Sequence, residues 1–275
     1  MGVADSYGAG FEFAPQNLIH NNLRAYVKHP KYDIGNGRYT DDTQMASALA
    51  EHLVLKRPID RNLIAHSFLL AYRRDPRAGY SGRVQDALNT AKTGEELVSI
   101  LSPNKSLGNG AAMRAAVVGF LHSEQEVLHV AAEQALATHD SVSGVESAQS
   151  IALAAYGLRK GISRVDIVDY LRDHWIKVEK IGNHGEGYYT VWTALMALRS
   201  GKSLSEIMKN AVGYGGDTDT VAAIAVALGT QSKEVSQILP RNLTKSFEDG
   251  TYGSEFLANL DTKLIKLSGP QTALF

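Results

Sequence analysis

The 275-residue chain sets 28 Lys and Arg against 29 Asp and Glu, a formal charge of −1, and is 44% hydrophobic and 21% charged. This composition is that of a soluble globular protein and argues against a globally basic nucleic-acid binder. The absence of cysteine excludes disulfide scaffolds, thiolate zinc sites, iron–sulfur clusters and cysteine nucleophiles.

The chain opens on Met-Gly-Val-Ala-Asp, with an acid where a signal peptide carries basic residues. No apolar run approaches the ~18–20 residues of a membrane span. A cytoplasmic protein without a membrane partner is therefore expected. Asn17–Arg38 has no sustained periodicity and reads as irregular. Met45, Ala48, Leu49, His52 and Leu53 then fall on one helical stripe. A helix is predicted over 60–72. Asp75–Asn109 reads as a second irregular stretch, and within it Asp75-Pro76-Arg77-Ala78-Gly79-Tyr80 looks like a substrate-facing loop. Met113, Ala116, Val117 and Phe120 repeat the helical stripe. Further helices are predicted over 124–137, 142–160, 163–173, 188–199 and 203–212. Val221, Ile224, Ala225 and Leu228 form another stripe, and a last helix is predicted over 254–267. Arg159-Lys160-Gly161 and Arg199-Ser200-Gly201 read as basic last turns with a glycine stop. β-branched residues rarely alternate with polar ones over four or more positions, no linker divides the chain and no repeat has a fixed period. The expectation is an all-α fold, a compact helical bundle in one domain over 1–275.

Two acidic clusters stand out: Thr40-Asp41-Asp42-Thr43, and Asp217-Thr218-Asp219-Thr220 after Gly215-Gly216. Each precedes an Ala-rich helix. One Asp is enough to cap a helix; a second within two residues adds like-charge repulsion. The sharper reading joins both clusters in one metal site. Thr40, Asp41, Asp42, Asp217, Asp219 and Thr220 offer only hard oxygens, which select Mg²⁺, Mn²⁺ or Ca²⁺ over Zn²⁺. Four carboxylates carry −4, so two divalent ions, ~3.5–4 Å apart, would balance them. Leu107-Gly108-Asn109-Gly110-Ala111-Ala112-Met113-Arg114 is a glycine-flanked loop running into a helix, and reads either as an ordinary turn or as an anion site.

These segments, with Gly2-Val3-Ala4-Asp5-Ser6-Tyr7-Gly8, Phe11-Glu12-Phe13 and Thr138-His139-Asp140, resemble the ADP-ribosylglycohydrolase family, which includes the dinitrogenase reductase-activating glycohydrolases. The resemblance runs from residue 2 to residue 220. Leu228–Lys233 lacks the family's small-residue run, and the short lead-in before the first motif is missing. The resemblance implies a compact all-α domain with two Mg²⁺ or Mn²⁺ ions held at Thr40, Asp41, Asp42, Asp217, Asp219 and Thr220. It implies that Gly108, Asn109 and Gly110 meet the diphosphate of ADP-ribose, and that Glu12 and His139 line the same cleft. The implied activity is hydrolysis of the glycosidic bond between ADP-ribose and an acceptor. Nucleic acid is then expected only as an ADP-ribosylated acceptor. Glu12 is the candidate acid/base, with Asp42 as the alternative. Tyr80, Tyr188, Tyr189, Trp192 and Tyr214 are candidates for a wall behind adenine. Arg114 reads as a phosphate contact or, with more weight, as a member of a structural ion pair. Two other readings remain open: a two-metal hydrolase of phosphate or nucleotide substrates, and a non-catalytic, crystallin-like use of the fold.

Overall fold

The computed structural model describes residues 1–103, 105–174 and 186–269. Helix α1 spans Gly2–Gly8, and 3-10 turns follow at Ala9–Phe11 and Pro15–His20. The chain continues through α2 (Asp41–Val54), α3 (Arg61–Arg74), α4 (Gly82–Thr90), α5 (Gly94–Leu101) and the one-turn α6 (Gly110–Met113). A 3-10 segment at Ala115–Phe120 leads to α7 (Glu124–Leu136), α8 (Val142–Lys160) and α9 (Ile167–Asp173). Then come α10 (Glu186–Ser200), α11 (Leu204–Gly213), α12 (Thr218–Gln231), α13 (Arg241–Lys245) and α14 (Ser254–Leu267). Among the described residues there is no strand, only a single bridge between Ser203 and Ser236.

Most predicted helices appear with their predicted starts. Asp60 caps α3 by accepting from the N–H groups of Asn62 and Leu63. Ser123, Ser141 and Ser203 cap α7, α8 and α11 in the same way. The stop at Gly161 is a left-handed C-cap with φ +101°. Gly201 stops α10 for a different reason. Its φ is not left-handed, and a Cβ there would lie 2.5 Å from Ile207 Cγ1, so it is a close-packing glycine.

Three expectations need correction. Asp75–Asn109 is not irregular throughout, because α4 and α5 lie inside it. They are nine and eight residues long, so their stripes of Ala87 with Leu88 and Leu97 with Leu101 are too short to stand out as a period. The stripe from Met113 to Phe120 is not one α-helix. The α-helix ends at Met113, where the Arg114 guanidinium folds back to donate to Gly110 O, and the chain continues as 3-10. The helix expected over 163–173 starts at Ile167, after a turn closed by Ser163 and Asp166.

α12 is buried on every side from Thr218 to Gly229 and packs against α1, α8, α10 and α11. A helix apolar all round belongs at the centre of a bundle. One continuous apolar cluster runs from Ala4 to Leu243 around it. α1 crosses the start of α12 closely. A Cβ on Gly8 would sit 2.4 Å from Thr218 O, and Thr218 Oγ1 donates to Gly8 O at 2.8 Å. That contact brings the segment after α1, with Glu12, beside the N-terminus of α12. α2 packs on α3 and α14, with its own N-terminus opening on the same side.

Candidate active site

The N-termini of α2 and α12 meet at a cleft of about 320 Å³. Asp41, Asp42, Asp217, Asp219, Thr220 and Glu12 all line it. Thr220 Oγ1 donates to Asp42 Oδ2 at 3.2 Å, a direct bond between clusters 178 residues apart. One carboxylate oxygen from each of Glu12, Asp217 and Asp219 lies within 4.8 Å of the other two.

Neither helix is capped by its own N-cap side chain, although Asp219 Oδ1 accepts from Thr220 N at 3.0 Å in the first turn of α12. Thr40 at the start of α2 and Asp217 at the start of α12 make no side-chain cap bond. The α2 N-terminus is capped from another helix instead. Asp5 of α1 accepts from Thr40 N and Thr43 N, and from Thr40 Oγ1 at 2.8 Å and Thr43 Oγ1 at 2.6 Å. Asp5 is fully buried, and burial raises its pKa against the pull of these four donors. Thr40 thus turns its hydroxyl toward Asp5 and does not line the cleft, although its Oγ1 lies 3.4 Å from Asp42 Oδ2.

The electrostatics are those of a site short of positive charge. Burial, then Asp5 and Asp217, hold Asp41 well above the usual aspartate range. Burial, then Asp41 and Asp5, do the same to Asp42. Burial, then Asp217 and Asp42, act likewise on Asp219. Asp42 Oδ1 is buried without a hydrogen-bond partner. A buried acceptor left unpaired costs ~1–3 kcal/mol, and more for a charged group. Oxygen donors, crowded like charge and an orphaned carboxylate oxygen fit divalent cations such as Mg²⁺ or Mn²⁺.

The glycine loop is tied into this cluster. Asn109 Nδ2 donates to Asp217 Oδ2 at 2.6 Å and to Thr190 Oγ1 at 3.0 Å. A Cβ on Gly110 would lie 2.8 Å from His139 Cε1, so the loop and the imidazole are in close contact. Burial, with Arg114 nearby, pushes the His139 pKa down to about 3, so the ring is neutral at physiological pH. Gly108, Asn109, Gly110, His139 and Tyr80 all line the cleft.

This chain belongs to the ADP-ribosylglycohydrolase family. The family profile matches residues 2–266. The chain is 26% identical to the ADP-ribosylhydrolase ARH3 of Xenopus tropicalis, over 82% of this chain and 83% of that one. It is 25% identical to the ADP-ribosylarginine hydrolase Tri1 of Serratia proteamaculans, over 98% of this chain and 77% of that one. A solved structure described as an ADP-ribosylglycohydrolase-related protein complex superposes with a TM-score of 0.74. That match has 22% identity and covers 97% of this chain and 94% of that one, a likeness of fold.

Several expected residues of this family member take other places. Tyr188 does not line the cleft; it is buried and its hydroxyl donates to Glu146 Oε2. Tyr189, Trp192 and Tyr214 do not line it either. Tyr80 does, but its ring packs edge-on to Tyr72 and its hydroxyl donates to Gln44 Oε1 at 2.8 Å. Arg114 makes no ion pair among the described residues. Its guanidinium donates to Gln134 Oε1, Gln134 O, Thr138 Oγ1 and Gly110 O and lies 4.5 Å over the Phe68 ring. Burial lowers its pKa to about 9. Sequence reasoning missed Glu186, which lines the cleft near the glycine loop and whose pKa is raised by burial, Asp217 and Glu12. It also missed His29, buried with Nε2 2.9 Å from Glu12 Oε2 in a contact not aligned as a hydrogen bond. Neither signal was readable, since each is one polar residue in a stretch without periodicity.

Proposed function

We propose that the chain hydrolyses the bond between C1″ of ADP-ribose and an acceptor, with two Mg²⁺ or Mn²⁺ ions held by Asp41, Asp42, Asp217, Asp219 and Thr220, the expected ligand set without Thr40, whose hydroxyl is spent on Asp5. The observation that carries this reading is the meeting of two acidic clusters beside a glycine loop in one cleft. When bound, such ions polarise sugar hydroxyls and lower the pKa of water.

The chain's own residues supply the rest. Glu12 sits at the edge of the carboxylate group, close to Asp217 and Asp219, where it can move a proton to or from the scissile bond. His29 Nδ1 accepts from the N–H groups of Lys31 and Tyr32, so Nε2 is the ring nitrogen turned toward Glu12. Asp42 is the alternative acid/base. The bare backbone of Gly108–Gly110 receives the diphosphate, and the neutral His139 borders it without adding charge. Asn109 couples that loop to Asp217, so diphosphate position and ligand position are set together. Glycoside hydrolysis passes through an oxocarbenium-like transition state, and Glu12, outside the proposed ligand set, is the carboxylate left to stabilise that positive charge.

The relatives' names point to ADP-ribosylated substrates, with an arginine acceptor in the case of Tri1. The test incubates the chelator-treated protein with ADP-ribosyl-arginine and ADP-ribosyl-serine peptides, with and without Mg²⁺ or Mn²⁺. The expected product is free ADP-ribose, formed only with the cation. Release of AMP or inorganic phosphate instead would favour a phosphoester hydrolase. No product together with no thermal shift by ADP-ribose would favour the non-catalytic use of the fold.

A further inference from the structure

We infer that Arg77 and Glu248 are positioning residues that aim the Asp41 carboxylate into the cleft; this rests on the functional reading above. Arg77 is almost wholly buried in the loop between α3 and α4, and Glu248 lies far along the chain, between α13 and α14. The pair is bidentate, with Nη1 2.6 Å from Oε2 and Nη2 2.7 Å from Oε1. Such a fork fixes orientation as well as distance. Arg77 Nε also donates to Asp75 Oδ2 at 2.8 Å, so the guanidinium is held from two sides.

Both partners then grip the residue that leads into the first acidic cluster. Glu248 Oε2 accepts from Tyr39 N at 3.2 Å, Arg77 Nη1 reaches Tyr39 O at 3.4 Å, and the guanidinium lies 3.8 Å over the Tyr39 ring. Tyr39 is fixed further by its hydroxyl, which donates to Tyr252 O at 2.9 Å. One residue beyond Arg77, Ala78 O accepts from Asp41 N at 3.1 Å. The next residue, Gly79, lies so close to Asp41 that a Cβ would stand 1.9 Å from Oδ1. The loop thus holds Asp41 by its amide and bounds its carboxylate, while the ion pair fixes where the loop stands. Asp75 and Glu248 offset the Arg77 charge, so the role is geometric and not a neutralisation of the cluster.

The test titrates Mn²⁺ into the chelator-stripped full chain by calorimetry for wild type, Glu248→Gln and Arg77→Lys. Arg172→Gln, which breaks an exposed pair with Asp169, is the control. Removal of a group that orients a ligand typically weakens metal binding about 10–100-fold. At least a tenfold loss is expected in both variants and none in the control. ADP-ribose release should recover at high Mn²⁺ with KM for the substrate unchanged. If a variant fails to fold, the milder Glu248→Gln, which keeps the shape of the side chain, decides. Variants that melt earlier yet bind Mn²⁺ like wild type would overturn the inference and leave the functional reading standing. A wild-type chain that binds no Mn²⁺ would remove the functional reading, and the inference with it.

Discussion

At the residue scale, the cleft depends on positions where a side chain would do harm. Gly79 has φ +113°, a backbone conformation that L residues avoid, and its missing side chain leaves the space that Asp41 Oδ1 occupies. Gly79→Ala must strain the backbone or displace the carboxylate. The expected outcome is a stability loss of at least about 1 kcal/mol and weaker Mn²⁺ binding, read by chemical denaturation and calorimetry. Binding equal to wild type would show that the carboxylate has another route into the cleft. The sequence made Asp41, Asp42, Asp217 and Asp219 visible because two acids within three residues exceed what a helix cap needs. It did not make Gly79 visible, since a glycine in Asp-Pro-Arg-Ala-Gly is explained by turn chemistry alone. Arg114 was legible as a polar residue near the loop but not as a buried charge held by neutral oxygens. That depends on Gln134 and Thr138, which arrive from α7 and its end.

At the scale of elements, the two helices that carry the acidic clusters begin without a side-chain bond from their own N-cap residue. α3, α7, α8 and α11 start on their own Asp or Ser caps, which is why their first residues could be read from the sequence. α2 borrows its cap from α1. Asp5→Asn replaces two accepting oxygens by one oxygen and an amide facing the donors of Thr40 and Thr43. It should cost about 1–3 kcal/mol, seen as a lower urea midpoint with an unchanged slope. The loss should be present with or without a divalent cation, because Asp5 lies behind Thr40, away from the cleft lining. Loss confined to the cation-loaded protein would make Asp5 part of the ligand set instead. Long-range capping of this kind leaves no periodic trace, as the two partners are 35 residues apart.

At the scale of the molecule, the helical class is legible because alanine and apolar residues recur at helical spacing on nearly every long segment. The meeting of α2 with α12 is a property of the packed bundle and is set by close approaches such as Gly8 against Thr218. The packing forces Asp41, Asp42 and Asp219 together in burial and raises their pKa values. That ties stability to pH with a definite sign. Above the ordinary aspartate value of about 3.9 the unfolded chain has released these protons while the cation-free folded chain still holds them. The folded state binds more protons, so its stability falls as pH rises toward the raised folded values. A bound divalent cation favours the ionised carboxylates, and its binding releases the protons. In chelator, the melting temperature attributable to these groups should therefore decline as pH rises above that aspartate value. With excess Mg²⁺ or Mn²⁺ the curve should separate upward from the chelator curve, with a gap that widens as pH rises. Melting curves that stay parallel across this range would mean that the three aspartates do not share a cation.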